Sequence, residues 1–93
     1  MINKYKQEIL TVINSIKDEK LLDIFLLDLF TPKEYEEIIK RWQIVKQLKE
    51  GVTQRNIAKN LKISLSKITR GSRVLLDRNG GFNQILKAIR KKK

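Results

Sequence analysis

The chain has 93 residues, 21 Lys and Arg against 10 Asp and Glu, a formal net charge of +11, one proline, four glycines, and neither cysteine nor histidine. That length suits one domain with a modest core, so burying much more surface calls for a second subunit. Without Cys or His, disulfides, thiolate nucleophiles, the usual zinc sites and imidazole acid-base chemistry are excluded, and an enzyme is not expected.

So little proline and glycine leaves few turns for a multi-stranded sheet, and the abundance of Lys, Leu, Ile, Glu and Gln predicts an all-α chain. Residues 3–16 place Tyr5, Ile9, Val12, Ile13 and Ile16 at helical spacing, and residues 18–29 repeat the pattern with Leu21, Leu22, Phe25, Leu26 and Leu29. Apolar runs such as Leu21 to Phe30 are short and broken by charge, which predicts no membrane span or secretory segment and a cytoplasmic location. Thr31, Pro32 and Glu34 supply an N-cap, a first-turn proline and the returning carboxylate of a capping box, so a third helix is expected over 32–49. Its apolar face is read as Tyr35, Ile38, Ile39, Trp42, Val45 and Leu48, with Trp42 in the core, and Gly51 follows as a C-terminal residue tolerant of positive φ.

Two short helices are expected next, over 54–60 and 65–76, capped by Thr53 and Ser64. Asn79, Gly80 and Gly81 read as a flexible break, and a last helix over 82–90 carries Phe82, Ile85, Leu86 and Ile89 on one stripe before Lys91, Lys92 and Lys93, which can fray and touch phosphates. The spacing of Gln54, Ile57, Ala58, Leu61, Ile63, Ile68 and Gly71 is that of a helix-turn-helix spanning 53–76. Lys62 falls at its turn, where a left-handed backbone costs a non-glycine residue about 1 kcal/mol.

Charge points to the partner of this motif. Residues 1–37 hold 5 basic and 8 acidic residues, a net of −3, whereas residues 38–93 hold 16 basic residues against only Glu50 and Asp77, a net of +14. An excess over half the chain favours a polyanion, here double-stranded DNA. Removing the buried positions leaves Ser64, Leu65, Ser66, Lys67, Thr69 and Arg73 on the second short helix. Hydroxyl and basic groups there can hydrogen-bond base edges in the major groove, and Leu65 can meet a thymine methyl. Gln54, Arg55, Lys59 and Lys62 lie on or beside the first short helix, and its cations suit backbone phosphates.

Phe30-Thr31-Pro32, Arg41, Ile44, Val45, Leu48, Gly51, Thr53-Gln54-Arg55 and above all Ile68-Thr69-Arg70-Gly71-Ser72 resemble the Trp repressor superfamily over residues 30–76. The resemblance implies a fold of about six helices and an intertwined homodimer in which residues 1–50 supply the dimerisation helices, with two reading helices about 34 Å apart on a palindromic operator. It implies a transcriptional repressor with a corepressor pocket for L-tryptophan or another small aromatic effector and no other cofactor. In that pocket Arg41 and Arg70 would sandwich the ring, Val45 and Gly71 would leave it room, and Thr31 would help hold its carboxylate. Contact with phosphates is the other reading of the two arginines. The pattern departs at Val74, where the family has a serine that helps hold the ligand's amino group, and at Lys67, which replaces a small hydroxyl residue. Two further readings use the basic surface differently: an effector-independent nucleoid-associated or RNA-binding protein, and a membrane-surface or protein-interaction module built on the last helix.

Overall fold

The computed structural model describes residues 2–91 and, among them, holds α1 (Ile2–Ser15), α2 (Glu19–Leu29), α3 (Pro32–Lys49), α4 (Gln54–Leu61), α5 (Leu65–Ser72), a 3-10 turn (Arg73–Leu76) and α6 (Gly81–Lys91), with no strand. The expectation of an all-α chain with six helices holds. Lys92 and Lys93, read as part of a fraying basic end, lie outside the described residues.

Side-chain oxygens start four of these helices by accepting from backbone N-H groups that lack a partner one turn back. Asp18 Oδ1 accepts from Lys20 N at 3.2 Å, Thr53 Oγ1 from Asn56 N at 3.2 Å, and Ser64 Oγ from Lys67 N at 3.3 Å. At α3 the capping box is complete: Glu34 N donates to Thr31 Oγ1 at 3.1 Å, and Thr31 N donates back to Glu34 Oε1 at 2.9 Å. Gly51, at φ +88°, ends α3 as the sequence predicts. Gly51 N donates to Leu48 O at 3.1 Å and Val52 N to Gln47 O at 3.0 Å, the two bonds of a Schellman motif.

Three expectations are corrected. The helix expected over 65–76 stops at Ser72 and winds as 3-10 from Arg73 to Leu76. Its last carbonyls are taken from outside: Asn83 Nδ2 donates to Leu75 O at 3.1 Å and to Asp77 O at 2.8 Å. The break expected at 79–81 is an ordered turn. Gly80 N donates to Asp77 O at 3.0 Å, Asn79 N to Asp77 Oδ1 at 3.0 Å, and Gly81 is already the first residue of α6. On α3, Ile44 and Val45 are buried while Ile38 and Ile39 are exposed, and Trp42 is half-buried against Phe82 with ring centroids 6.2 Å apart. This helix has apolar residues on more than one side, and packing by α4 and α5 selects the one that carries Ile44.

The chain divides into two compact units, Met1–Glu36 and Glu37–Lys93, with the boundary inside α3. In the first, no described residue of α1 or α2 is buried, and Tyr5, Leu10, Leu21, Ile24, Leu27 and Leu29 are exposed. Tyr35 Oη donates to Asp23 Oδ1 at 2.7 Å, linking the start of α3 to α2. In the second unit Ile44, Ile57 and Ile68 form the core, with Leu48, Val52, Ala58, Leu61 and Ile63 packed against it.

The hydrogen bond to Asp23 raises the Tyr35 hydroxyl above its ordinary titration range, with desolvation and the carboxylate charge acting in the same direction. A folded state that holds this proton more tightly has its stabilisation complete below the unfolded pKa of about 10 and loses it as the pH rises through the folded value. Thermal melts from about pH 9 upward therefore show a steeper alkaline fall for the native chain than for Tyr35→Phe; parallel curves refute this role of the Tyr35-Asp23 bond.

Candidate nucleic-acid interface

The geometry of α4 and α5 starts with their facing apolar residues. Ile57 and Ile68 are each 0% exposed and Ile44 only 5%, so one residue from each of α4, α5 and α3 meets in a closed cluster. Burying an Ile side chain contributes roughly 1.5–3 kcal/mol, enough for three of them to hold short helices that would not persist alone. Gly71 brings α5 close to α3: a Cβ there would stand 3.1 Å from Ile44 Cγ2.

The turn between the short helices depends on Lys62, which adopts φ 55° and ψ 47°. Among the described residues it is the sole non-glycine with positive φ. Lys62 N and Ile63 N both donate to Ala58 O, the second at 3.1 Å, closing the end of α4. The left-handed residue also turns Ile63 into the core cluster, and Ser64 then caps α5. Backbone strain at one lysine is thus offset by satisfied carbonyls and by burial of the next residue.

Gln54, Arg55, Lys59, Ser64, Leu65, Ser66, Lys67, Thr69 and Arg73 are all exposed on this frame, Leu65 at 50% despite its apolar side chain. Several already have partners within the chain. Thr69 Oγ1 lies 3.1 Å from both Gln54 Oε1 and Leu65 O, tying α5 to the first residue of α4. Ser64 Oγ and Ser66 Oγ are 3.1 Å apart. Lys67 Nζ lies 3.4 Å from Glu37 Oε1 on α3, with the two side chains 52% and 40% exposed. Sequence reasoning missed Glu37, because 30 positions separate it from Lys67 and no local pattern links them.

The residues read as an effector pocket are in mixed settings. Arg41 and Arg70 are exposed and Gly71 is half-buried, whereas Val45 is fully buried. Thr31, in the first unit, is exposed and engaged in its capping box. A groove of about 1060 Å³ elsewhere in the second unit is lined by apolar Trp42, Leu75, Leu76, Leu86 and Ile89 and by Lys46, Lys49, Glu50, Arg78, Asn83, Lys87 and Arg90. Of the apolar stripe on α6, Phe82 and Leu86 turn inward while Ile85 and Ile89 stay exposed. No described helix is long and apolar enough to cross a membrane, and no group of His, Cys, Asp or Glu among the described residues is arranged to hold a metal ion.

Comparison with known proteins agrees with this architecture. The family model described as Trp repressor protein matches residues 4–90. A Trp operon repressor homolog of Vibrio vulnificus strain YJ016 is 32% identical over 90 residues, covering 91% of this chain and 88% of that protein. A Trp operon repressor homolog of Chlamydia trachomatis serovar D is 37% identical over 82 residues, covering 86% of each. No solved structure matches the chain significantly.

Lys62→Gly relieves the left-handed strain at the turn and raises stability by about 0.5–1 kcal/mol, the steric gain exceeding the added entropy of the unfolded chain. Denaturant melts read the change directly, and a lower midpoint for the glycine variant overturns the strain assignment.

Proposed function

Since the chain belongs to the Trp repressor protein family, we propose that it is a sequence-specific DNA-binding transcriptional repressor that reads a palindromic operator as a homodimer. The observation that carries this reading is the division of labour on α4 and α5. Ile57 and Ile68 are fully buried and hold the helices, while Gln54, Arg55, Lys59, Ser64, Leu65, Ser66, Lys67, Thr69 and Arg73 face solvent and residues 51–76 contain no acidic residue.

In the proposed complex α5 enters the major groove. Ser66, Lys67 and Thr69 offer donors and acceptors to base edges, and Leu65 packs on a thymine methyl. Arg55, Lys59 and Arg73 neutralise phosphates and set register without carrying sequence information. Ser64 adds the fixed end of α5 itself, since its hydroxyl already caps the helix at Lys67 N. Gln54 orients Thr69 through their hydrogen bond.

Dimerisation through residues 1–50 is supported by surface chemistry. The first unit exposes a series of large apolar residues on α1 and α2 and has an acidic balance, whereas the α6 groove combines an apolar floor with five cations. Helices of a second copy offer both complements. For the effector, the reading is that L-tryptophan or another aromatic carboxylate lies between Arg41 and Arg70, beside Gly71. Stacking of guanidinium planes on a ring and pairing with a carboxylate support it. Val74 is an exposed apolar residue without the hydroxyl that would hold an amino group, so the proposed site favours the ring and carboxylate over the amine.

A second reading, a nucleoid-associated or RNA-binding protein without an effector, rests on the +14 balance of residues 38–93. Salt and sequence separate the two, because phosphate-driven binding weakens steeply with salt on every sequence while base readout leaves a preference of roughly 10³-fold or more. On a duplex obtained by selection, Lys67→Ala changes which sites are preferred. Lys59→Ala weakens all sequences about equally and lowers the salt slope by about 0.9. Identical behaviour of the two variants on every duplex rules out α5 as the reading helix. In calorimetry, L-tryptophan titrated into the dimer binds at one site per subunit and tightens operator affinity. Absence of heat, with a selected palindrome still bound, removes tryptophan as the effector and leaves the repressor reading intact.

A further inference from the structure

Lys67 occupies the first turn of α5, where the aligned peptide dipoles place partial positive charge and a cation is unfavourable. Its own backbone N-H is bound to Ser64 Oγ, which fixes the start of its side chain. Glu37 answers the mismatch from α3: its Oε1 stands 3.4 Å from Lys67 Nζ, and both side chains remain open to solvent. Through this pair the second turn of α3 places a carboxylate beside the end of α5 that carries Ser64, Leu65 and Ser66.

We infer that Glu37 is a specificity-determining residue, a counter-ion that prevents Lys67 from binding DNA phosphates indiscriminately and holds it for a base edge. The inference rests on the proposed reading of α5 as the DNA-reading helix. An ammonium group has three N-H donors, so Lys67 can keep one on Glu37 and direct another at guanine O6 or N7. Against random DNA the same pair acts as a neutral unit. Lys67 must leave Glu37 to reach a phosphate, and the freed carboxylate then repels the backbone it faces. A lone lysine at this position would add one cation to every complex, matched or mismatched. The paired lysine adds its full contribution only where a base accepts from it. An exposed ion pair of this kind is weak enough to exchange and strong enough to bias the outcome a few-fold.

The test measures fluorescence anisotropy of labelled selected and random duplexes over a salt series, using the full-length native chain, Glu37→Gln, Lys67→Ala and the double variant. Helix content and melting of each variant are checked first. Glu37→Gln is expected to raise affinity for random DNA about 2- to 5-fold at low salt. It also steepens the salt slope on random DNA by about 0.9, the signature of one more phosphate neutralised. Affinity for the selected duplex stays constant or falls, so discrimination narrows. In the Lys67→Ala background the glutamate substitution has no further effect. Glu37→Asp, which keeps the charge, behaves as the native chain. An equal effect of Glu37→Gln with and without Lys67 reduces Glu37 to a diffuse negative charge and overturns the inference, as does an unchanged salt slope. Failure of the native chain to bind any duplex at low salt instead removes the DNA reading on which the inference stands.

Discussion

The packing of Ile57 on α4 against Ile68 on α5, closed from the third side by Ile44, is the constraint on which the functional surface depends. Two helices of eight residues each have too few internal hydrogen bonds to persist alone in water. Their mutual direction comes from three apolar side chains removed from solvent and from a turn that admits a single backbone path. Lys62 supplies that path by accepting a left-handed conformation, and Ile63 returns to the core immediately afterwards. The absent side chain of Gly71 lets α5 approach Ile44 closely enough for the cluster to close.

A fixed frame holds its polar side chains in defined places. The exposed face of α5 is preorganised by short-range bonds: Ser64 caps the helix, Thr69 reaches Gln54 across the angle, and Lys67 pairs with Glu37. Each bond is modest in water and exchangeable for a partner of better geometry, as recognition requires of an exposed residue. In the proposed complex affinity and discrimination come from different residues: cations on α4 and after α5 meet phosphates, and the paired groups at the front of α5 respond to what lies in the groove.

The first unit has the opposite character. α1 and α2 have well-defined amphipathic sequences, yet none of their described residues is buried within the chain. With four fully or nearly buried apolar residues among those described, the 93-residue chain leaves much of its apolar surface uncovered. The proposed homodimer accounts for this exposure, for the acidic balance of residues 1–37 and for the cationic groove beside α6 with the same interaction.

By itself the sequence determined most of the helix ends and caps that are governed by neighbours along the chain. The capping box at Thr31 and Glu34, the caps at Thr53 and Ser64, the positive φ at Gly51 and the strained Lys62 all follow from residues within about one turn, where hydrogen bonds and backbone sterics act. The resemblance to the Trp repressor superfamily added what no local rule contains, a choice of fold and of partner. Only the tertiary structure decided which side of α3 is covered, because that helix offers apolar residues on more than one side and the choice belongs to α4 and α5. It also decided how the 3-10 turn ends, since Asn83 from α6 takes the carbonyls of Leu75 and Asp77 there, and it paired Lys67 with Glu37 and Gln54 with Thr69. Contacts between residues 6 to 30 positions apart depend on the path of the backbone through space, which spacing along one helix cannot encode.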